Sequence, residues 1–302
     1  MNIQKLLNFG VKKLSKTSDS PALDAEVILS HLLDKTKEYL ATNPDEKVAQ
    51  KQEEKYKILI NRRLLGWPVA YITKQKEFFG LKFYVDENVL IPRPETEGLI
   101  ELVLAQVKSK KHFSILDIGT GCGAIIVSIA KSLNSAFASE AKQSLSKSKI
   151  ASSLRSSQRQ KYQFFASDVS KKSLAIAKKN TEFHNVKITF KQGSLLVPWK
   201  NQNFDILIAN LPYLEKQTHP STQFEPKKAL IAKEKGLQLY KKLFEQISTL
   251  HPLPSTLFLE IGHDQGPQIK KLAKVFLPEY KLETFKDLQG RSRYVRLDQK
   301  SS

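Results

Sequence analysis

From residue 112 to residue 260 the chain alternates short apolar runs with helical segments, and that alternation leaves few folds open. FSILDI, YQFFASD, KITFKQG, FDILIAN and STLFLEIG have the length and the aromatic and β-branched content of strands, and helical patterns lie between most of them. A helix returning between strands makes the strands parallel, so the expectation is an α/β sheet with helices on both faces. The end differs. YKLETFKDLQG and RSRYVRLDQ are two strands meeting at a glycine turn, so an antiparallel hairpin should close the sheet.

Upstream the periodicity changes. Residues 1–75 read as a small helical domain, with LDAEVILSHLLDKTKEYLA and DEKVAQKQEEKYKILINRRLLG both apolar at helical spacing. Asn43-Pro44 divides the two, and Gly66 with Pro68 stops the second. Residues 76–91, KEFFGLKFYVDENVLI, read as a β-hairpin linker, and 92–302 as the α/β domain, its first helix starting at ETEGLIELVLAQ. The segment at about 134–160 is rich in Ser, Lys and Arg and poor in apolar residues, which suggests a mobile insertion.

Composition removes several function classes. No apolar run approaches the about 18 residues of a membrane span, and the N-terminus lacks the pattern of a secretory signal. One cysteine, Cys122, forms no internal disulfide and fits a reducing cytoplasm. Six scattered histidines have no metal-ligand spacing, so no metal is expected. The net charge of +19 suits nucleic acid or an acidic partner, and equally a lysine-rich solvated surface.

Two strand ends carry chemistry. In SILDIGTGCGAIIVSIAKSL a buried strand runs into Gly119, Thr120, Gly121, Cys122 and Gly123, then an apolar helix. Glycines let backbone approach a ligand, and the helix start offers N–H groups to an anion. The spacing is GxGxG rather than the GxGxxG of a pyrophosphate turn. A ligand with a carboxylate and no pyrophosphate suits it, S-adenosylmethionine being one; NAD and purely structural glycines compete. Asp168, closing the next strand, could accept ribose hydroxyls or cap the helix that follows. It stands about 45 residues past the glycines where about 20 is usual, a gap that the basic segment accounts for.

The second strand end is FDILIAN, running into Asn210, Leu211, Pro212 and Tyr213. The Asn210 side-chain oxygen can accept one hydrogen of a planar NH₂ group, and the Leu211 carbonyl the other. Pro212 fixes the turn and the Tyr213 ring can stack on a flat acceptor. The competing reading is a plain Asn-Pro turn.

With these motifs the chain resembles the release factor glutamine methyltransferases, the HemK/PrmC family. The resemblance rests on LDAEVILSHLL, RRLLGWPVAYI, EFFGLKFYV, VLIPRPETE, DIGTGCG, DVSKKSLAIAKKN, NLPY, FEPKKAL, LEIGHDQ and DLQGRSR, in order along nearly the whole chain. It implies a Rossmann-like class I methyltransferase sheet behind a helical substrate-docking domain. It also implies methyl transfer from S-adenosylmethionine to the glutamine amide of the Gly-Gly-Gln motif in class I peptide chain release factors, during translation termination. By the same resemblance Gly119–Gly123 and Asp168 hold the cofactor, Asn210 touches cofactor and acceptor, and Leu211, Pro212, Tyr213 and Leu90 complete the acceptor pocket. Arg93 reads as a brace for Glu95 and Glu97, with contact to the substrate backbone as the alternative. The usual Asn-Pro-Pro-Tyr is Asn-Leu-Pro-Tyr here, and the adenine-contacting position reads Gly193-Ser194-Leu195. The alternatives are an RNA adenine methyltransferase, suggested by Asn-Leu-Pro-Tyr and the charge, and a non-catalytic basic binding protein on the same fold.

Overall fold

A computed structural model describes residues 1–107, 112–147, 161–216 and 222–300. Two compact units emerge: Met1–Lys76 with Val85–Glu87 and the described part of Thr218–Glu225, and the remainder. The first unit is helical: α1 (Ile3–Leu14), α2 (Pro21–Leu33), α3 (Lys37–Thr42), α4 (Gln50–Leu64) and α5 (Val69–Thr73). Asn2 caps α1 by accepting the Lys5 N–H, and Pro21 opens α2 where no N–H is needed. The stretch LDAEVILSHLLDKTKEYLA, expected as one helix, is two. Asp34 adopts a left-handed φ of 52°, its N–H turning back to the carbonyls of Ser30 and His31, and Thr36 caps the next helix. Ile3, Leu6, Ile28, Leu29, Tyr56 and Ile60 form the core of this unit.

The second unit holds a seven-stranded sheet. Its strands are β3 (His112–Ile118), β4 (Lys161–Asp168), β5 (Thr189–Gln192), β6 (Ile206–Ala209), β7 (Thr256–Glu260), β8 (Tyr280–Lys286) and β9 (Ser292–Gln299), after a hairpin of β1 (Gln75–Phe78) and β2 (Leu81–Tyr84). The order is β5-β4-β3-β6-β7-β9-β8. From β5 to β7 neighbours are parallel, and β9 is antiparallel to both β7 and β8, as the strand pattern required. The helices are α6 (Glu97–Val107), α7 (Ala124–Lys147), α8 (Lys171–Phe183), α9 (Lys227–Leu230), α10 (Gln238–Ile247) and α11 (Gly266–Phe276). Helix α7 thus extends into the segment 134–160, of which 148–160 lie outside the described residues.

The hairpin is tied to α8 by one amide. Asn180 accepts the Tyr84 N–H at 2.8 Å and donates to the Tyr84 carbonyl at 3.0 Å and to the Cys122 carbonyl at 2.9 Å. One buried side chain thereby orders both the hairpin and the glycine loop. Among the described residues no helix is long and apolar enough to cross a membrane.

Two motif residues of the helical unit prove to be a buried ion pair. Asp24, 6% exposed, accepts the Ser18 hydroxyl at 2.6 Å and the Arg63 Nε–H at 2.6 Å, and Arg63 also donates to the Trp67 carbonyl. Removing the cation alone strands a buried carboxylate, which costs far more than the pair itself contributes. Arg63→Leu should therefore destabilise the chain by roughly 3 kcal/mol. Urea unfolding with an unshifted midpoint would contradict this.

Candidate active site

Strands β3, β4, β6 and β7 end in one row. Ile118 is level with Ser167 on one side and Ala209 on the other, and Ala209 is level with Leu259. The next residue on each strand is Gly119, Asp168, Asn210 and Glu260 respectively. Open α/β sheets keep ligands at this carboxyl edge, and here sheet register alone assembles a glycine loop, an amide and two carboxylates.

The glycine loop is built on positive φ angles, 75° at Gly119 and 57° at Gly121, which a side chain would strain. A Cβ on Gly121 would meet nothing within 4 Å and would project into open space. Its N–H donates to one Asp168 oxygen at 3.0 Å, and the Ser170 N–H to the other at 2.8 Å. Asp168 does not cap the following helix; Ser170 does, accepting the Ser173 N–H. The Asp168 carboxylate instead clamps the loop, keeps further acceptor capacity, and is among the residues that line the cavity. Burial pushes its pKa up, opposed by the N–H groups of Ser170 and Gly121.

A cavity of about 300 Å³ opens along this row, lined by Gly119, Gly121, Asp168, Asn210, Leu211 and Pro212. Leu90, from the segment VLIPRPETE, closes one wall; Gly193, Ser194 and Leu195 form another, and Pro226–Ala229 of FEPKKAL a third. The other loop residues stand behind it. Thr120 bonds Asp117, Gly123 packs on Ala177 of α8, and Cys122 is buried, its thiol pushed up to about 12 by burial. Tyr213 is not among the lining residues; its phenol lies in the field of Glu260, Arg293 and Arg93.

The residues behind Asn210 carry no local signal of their role in the sequence. The Asn210 Nδ2 donates to Glu260 Oε2 at 2.9 Å and to Thr96 Oγ1 at 3.3 Å. Both partners are buried, Glu260 2% and Thr96 4% exposed. Burial raises the Glu260 carboxyl to about 7, against hydrogen bonds from Thr96 and Asn210 and the charge of Arg293. Thr96 is held there by the start of α6, whose Gly98 has no Cβ to strike the Tyr294 hydroxyl, 2.5 Å from where one would stand. That hydroxyl donates to the Glu95 carbonyl. The Tyr240 hydroxyl donates to the Glu260 carbonyl and sits 3.4 Å from the Leu211 carbonyl. A hydroxyl has one proton, so the Leu211 carbonyl keeps acceptor capacity. Glu97, expected beside Arg93, accepts the Phe79 N–H at 2.8 Å. Among the described residues no His, Cys, Asp and Glu cluster could hold a metal ion.

Sheet order, closing hairpin and strand-end glycine loop together make this a methyltransferase fold. The catalytic domain of hMettl16, solved with MAT2A 3'UTR hairpin 1, shares it at TM-score 0.54 and 14% identity, over 89% of this chain and 90% of that one. Residues 5–73 match the PrmC N-terminal domain family, and 91–243 match the family described as N-6 DNA Methylase. The release factor glutamine methyltransferase of Buchnera aphidicola is 31% identical over 97% of both chains, and that of Enterococcus faecalis 32% identical over 82% of both. The chain belongs to the release factor glutamine methyltransferase family.

Asp117, under the glycine loop, offers a direct test of the site's electrostatics. It is 1% exposed and Oδ1 has no hydrogen-bond partner. Burial, with Asp168 nearby, pushes its pKa up to about 7, against the Thr120 hydroxyl. In the unfolded chain it ionises near the usual 3.8, so between these values the native state holds the extra proton. Its contribution is intact below the unfolded pKa and is lost as pH rises through about 7. Relative to Asp117→Asn, the wild type should lose up to about 4 kcal/mol between pH 4 and pH 8. Parallel urea midpoints for the two proteins across that range would contradict it.

Proposed function

We propose that this chain transfers a methyl group from S-adenosylmethionine to the side-chain amide nitrogen of the glutamine in the Gly-Gly-Gln motif of class I release factors. One observation carries the reading within the family. The Asn210 NH₂ is spent on Glu260 and Thr96, so its oxygen is the atom left for a ligand at the cavity. That oxygen, with the remaining acceptor capacity of the Leu211 carbonyl one residue on, suits a group with two N–H donors, which is what a carboxamide presents.

The cavity also fits the cofactor. Gly121 leaves space where any side chain would intrude, and the Asp168 carboxylate can accept ribose hydroxyls. The glycine loop would hold the methionine end, Asp168 the ribose, and Gly193–Leu195 the base. When bound, S-adenosylmethionine supplies an electrophilic methyl on a sulfonium. The chain's own task is then positional. An amide nitrogen is a poor nucleophile because its lone pair is delocalised. Two hydrogen bonds, to Asn210 Oδ1 and the Leu211 carbonyl, hold the group flat and keep its π face toward the methyl. Such alignment can supply about 7–11 kcal/mol of the barrier. Pro212 fixes the turn that carries those acceptors and Leu90 shuts out water; Tyr213, outside the cavity lining, would meet only an acceptor chain that extends past it. The helical domain, 1–75, docks the release factor, and the reaction belongs in the cytoplasm, where a lone thiol stays reduced.

Incubation of purified chain with a class I release factor and labelled S-adenosylmethionine should place one methyl on the Gly-Gly-Gln glutamine, read by mass spectrometry of that peptide. Label in ribosomal RNA and none in the factor would favour adenine methylation instead. Asn210→Ala should bind the cofactor normally and lose about 10²–10³ in rate, the effect of removing one preorganised hydrogen-bonding group. Asp168→Ala should weaken S-adenosylmethionine binding about 10–100-fold, through lost charge-assisted bonds and a loosened loop. Unchanged affinity by calorimetry would restrict Asp168 to clamping the loop.

A further inference from the structure

The Asn210 amide has two orientations of nearly equal shape, and they select opposite ligands. With oxygen outward the site accepts N–H groups; with NH₂ outward it donates, and suits a carboxylate. What lies behind the amide decides between them. Glu260 Oε2 stands 2.9 Å from Asn210 Nδ2, and an ionised carboxylate has only acceptors. Thr96 Oγ1 stands 3.3 Å from the same nitrogen, and its own proton is committed to Glu260. Above about pH 7, where Glu260 is ionised, both Asn210 N–H groups therefore have acceptors behind them and no donor competes. Turning the amide would set Oδ1 against two oxygens, leaving buried polar groups unpaired in a site Glu260 shares with almost no water. The register of β6 and β7 fixes this contact, since Ala209 and Leu259 are paired neighbours.

We propose that Glu260, with Thr96, is a specificity-determining positioning pair: it locks the Asn210 oxygen toward the cavity, so that the site takes a carboxamide and rejects the carboxylate of the same shape. This rests on the functional reading above and deepens it. Neither residue lines the cavity, so both act through Asn210. Rejection of glutamate matters chemically, because a glutamate side chain has no nitrogen to methylate and would occupy the site as a dead-end ligand. The remaining neighbours of Glu260 fit the same logic. Arg293 favours its charged form, and the Tyr240 hydroxyl bonds its main-chain carbonyl, leaving the carboxylate for Asn210 and Thr96.

The test uses the full chain, at mildly alkaline pH, and two versions of one release factor, with glutamine or with glutamate in the Gly-Gly-Gln motif. Methylation of the glutamine factor gives kcat and KM; the glutamate factor is measured as an inhibitor. Wild type should be inhibited by the glutamate factor at least about tenfold less tightly than it binds the glutamine factor, the discrimination expected of a site built to pair N–H groups. In Glu260→Gln the neutral amide can donate as well as accept, so kcat should fall about tenfold and the discrimination should collapse toward one. Thr96→Val should move both quantities the same way, Thr96→Ser should restore them, and cofactor affinity should stay put in all three. In an Asn210→Ala background Glu260→Gln should add no further loss. Should Glu260→Gln fail to fold, Thr96→Val and Thr96→Ser carry the test alone. Folded variants that keep wild-type discrimination, or losses that add to that of Asn210→Ala, overturn the proposal. Failure of the functional reading looks different: wild type then leaves the glutamine unmethylated, and the inference goes with it.

Discussion

The parallel register of β3, β4, β6 and β7 is the constraint on which the site depends. Gly119, Asp168, Asn210 and Glu260 are separated by tens of residues in sequence, and nothing local brings them together. They meet because each is the next residue after a set of level positions, Ile118 with Ser167 and Ala209, and Ala209 with Leu259. A slip of one residue would send each side chain to the opposite face of the sheet. The apolar interior resists such a slip. Leu116, Leu207 and Leu257 lie level on three neighbouring strands, all within 1% of full burial, and belong to the same apolar cluster. The packing that stabilises the sheet is thus what aligns the polar row at its edge.

The carboxylates at and just beneath that edge work against stability. Asp117, Asp168 and Glu260 are largely or wholly buried carboxylates within one protein whose net charge is +19. Burial raises all three pKa values, and no nearby cation pairs directly with Asp117 or Asp168 among the described contacts. Their partners are backbone N–H groups, a threonine hydroxyl and an asparagine amide. Each carboxylate holds something else still: Asp117 the Thr120 hydroxyl, Asp168 the Gly121 N–H, Glu260 the Asn210 amide. Departures from ideal burial concentrated at one strand edge are what function demands of an otherwise consistent fold.

What was legible in the chain divides along the same line. Alternating strands and helices, the closing hairpin, the glycine loop and Asn210 are local patterns, and sequence shows them directly. Glu260 and Thr96 are silent in the sequence because their meaning is non-local. Glu260 looks like the polar end of a strand, and Thr96 like part of a helix start. The available signal was an acid closing an apolar run at the same strand position as Asp168 and Asn210, which only the register turns into a contact. Asp168 as helix cap failed for a local reason: Ser170, two residues on, offers a shorter reach to the Ser173 N–H. The break at Asp34 was hidden because apolar spacing continues across it.

Leu211 stands where the resemblance to Asn-Pro-Pro-Tyr implies a proline, so its carbonyl must be held in another way. A ring at this position would fix φ; leucine does not. Its successor Pro212 nevertheless disfavours the helical region at Leu211, confining it to extended conformations. The side chain is 3% exposed and belongs to the main apolar cluster. It lies under the glycine loop, so close that a Cβ on Gly119 would come within 3.3 Å of its Cδ2. The carbonyl's direction is set by ψ of Leu211, which Pro212 holds in the extended range, while the buried side chain anchors the Cα from which it points. The carbonyl therefore keeps its aim without the ring. The same contact couples the two halves of the row, because the loop that would hold the donor rests on the residue that would hold the acceptor.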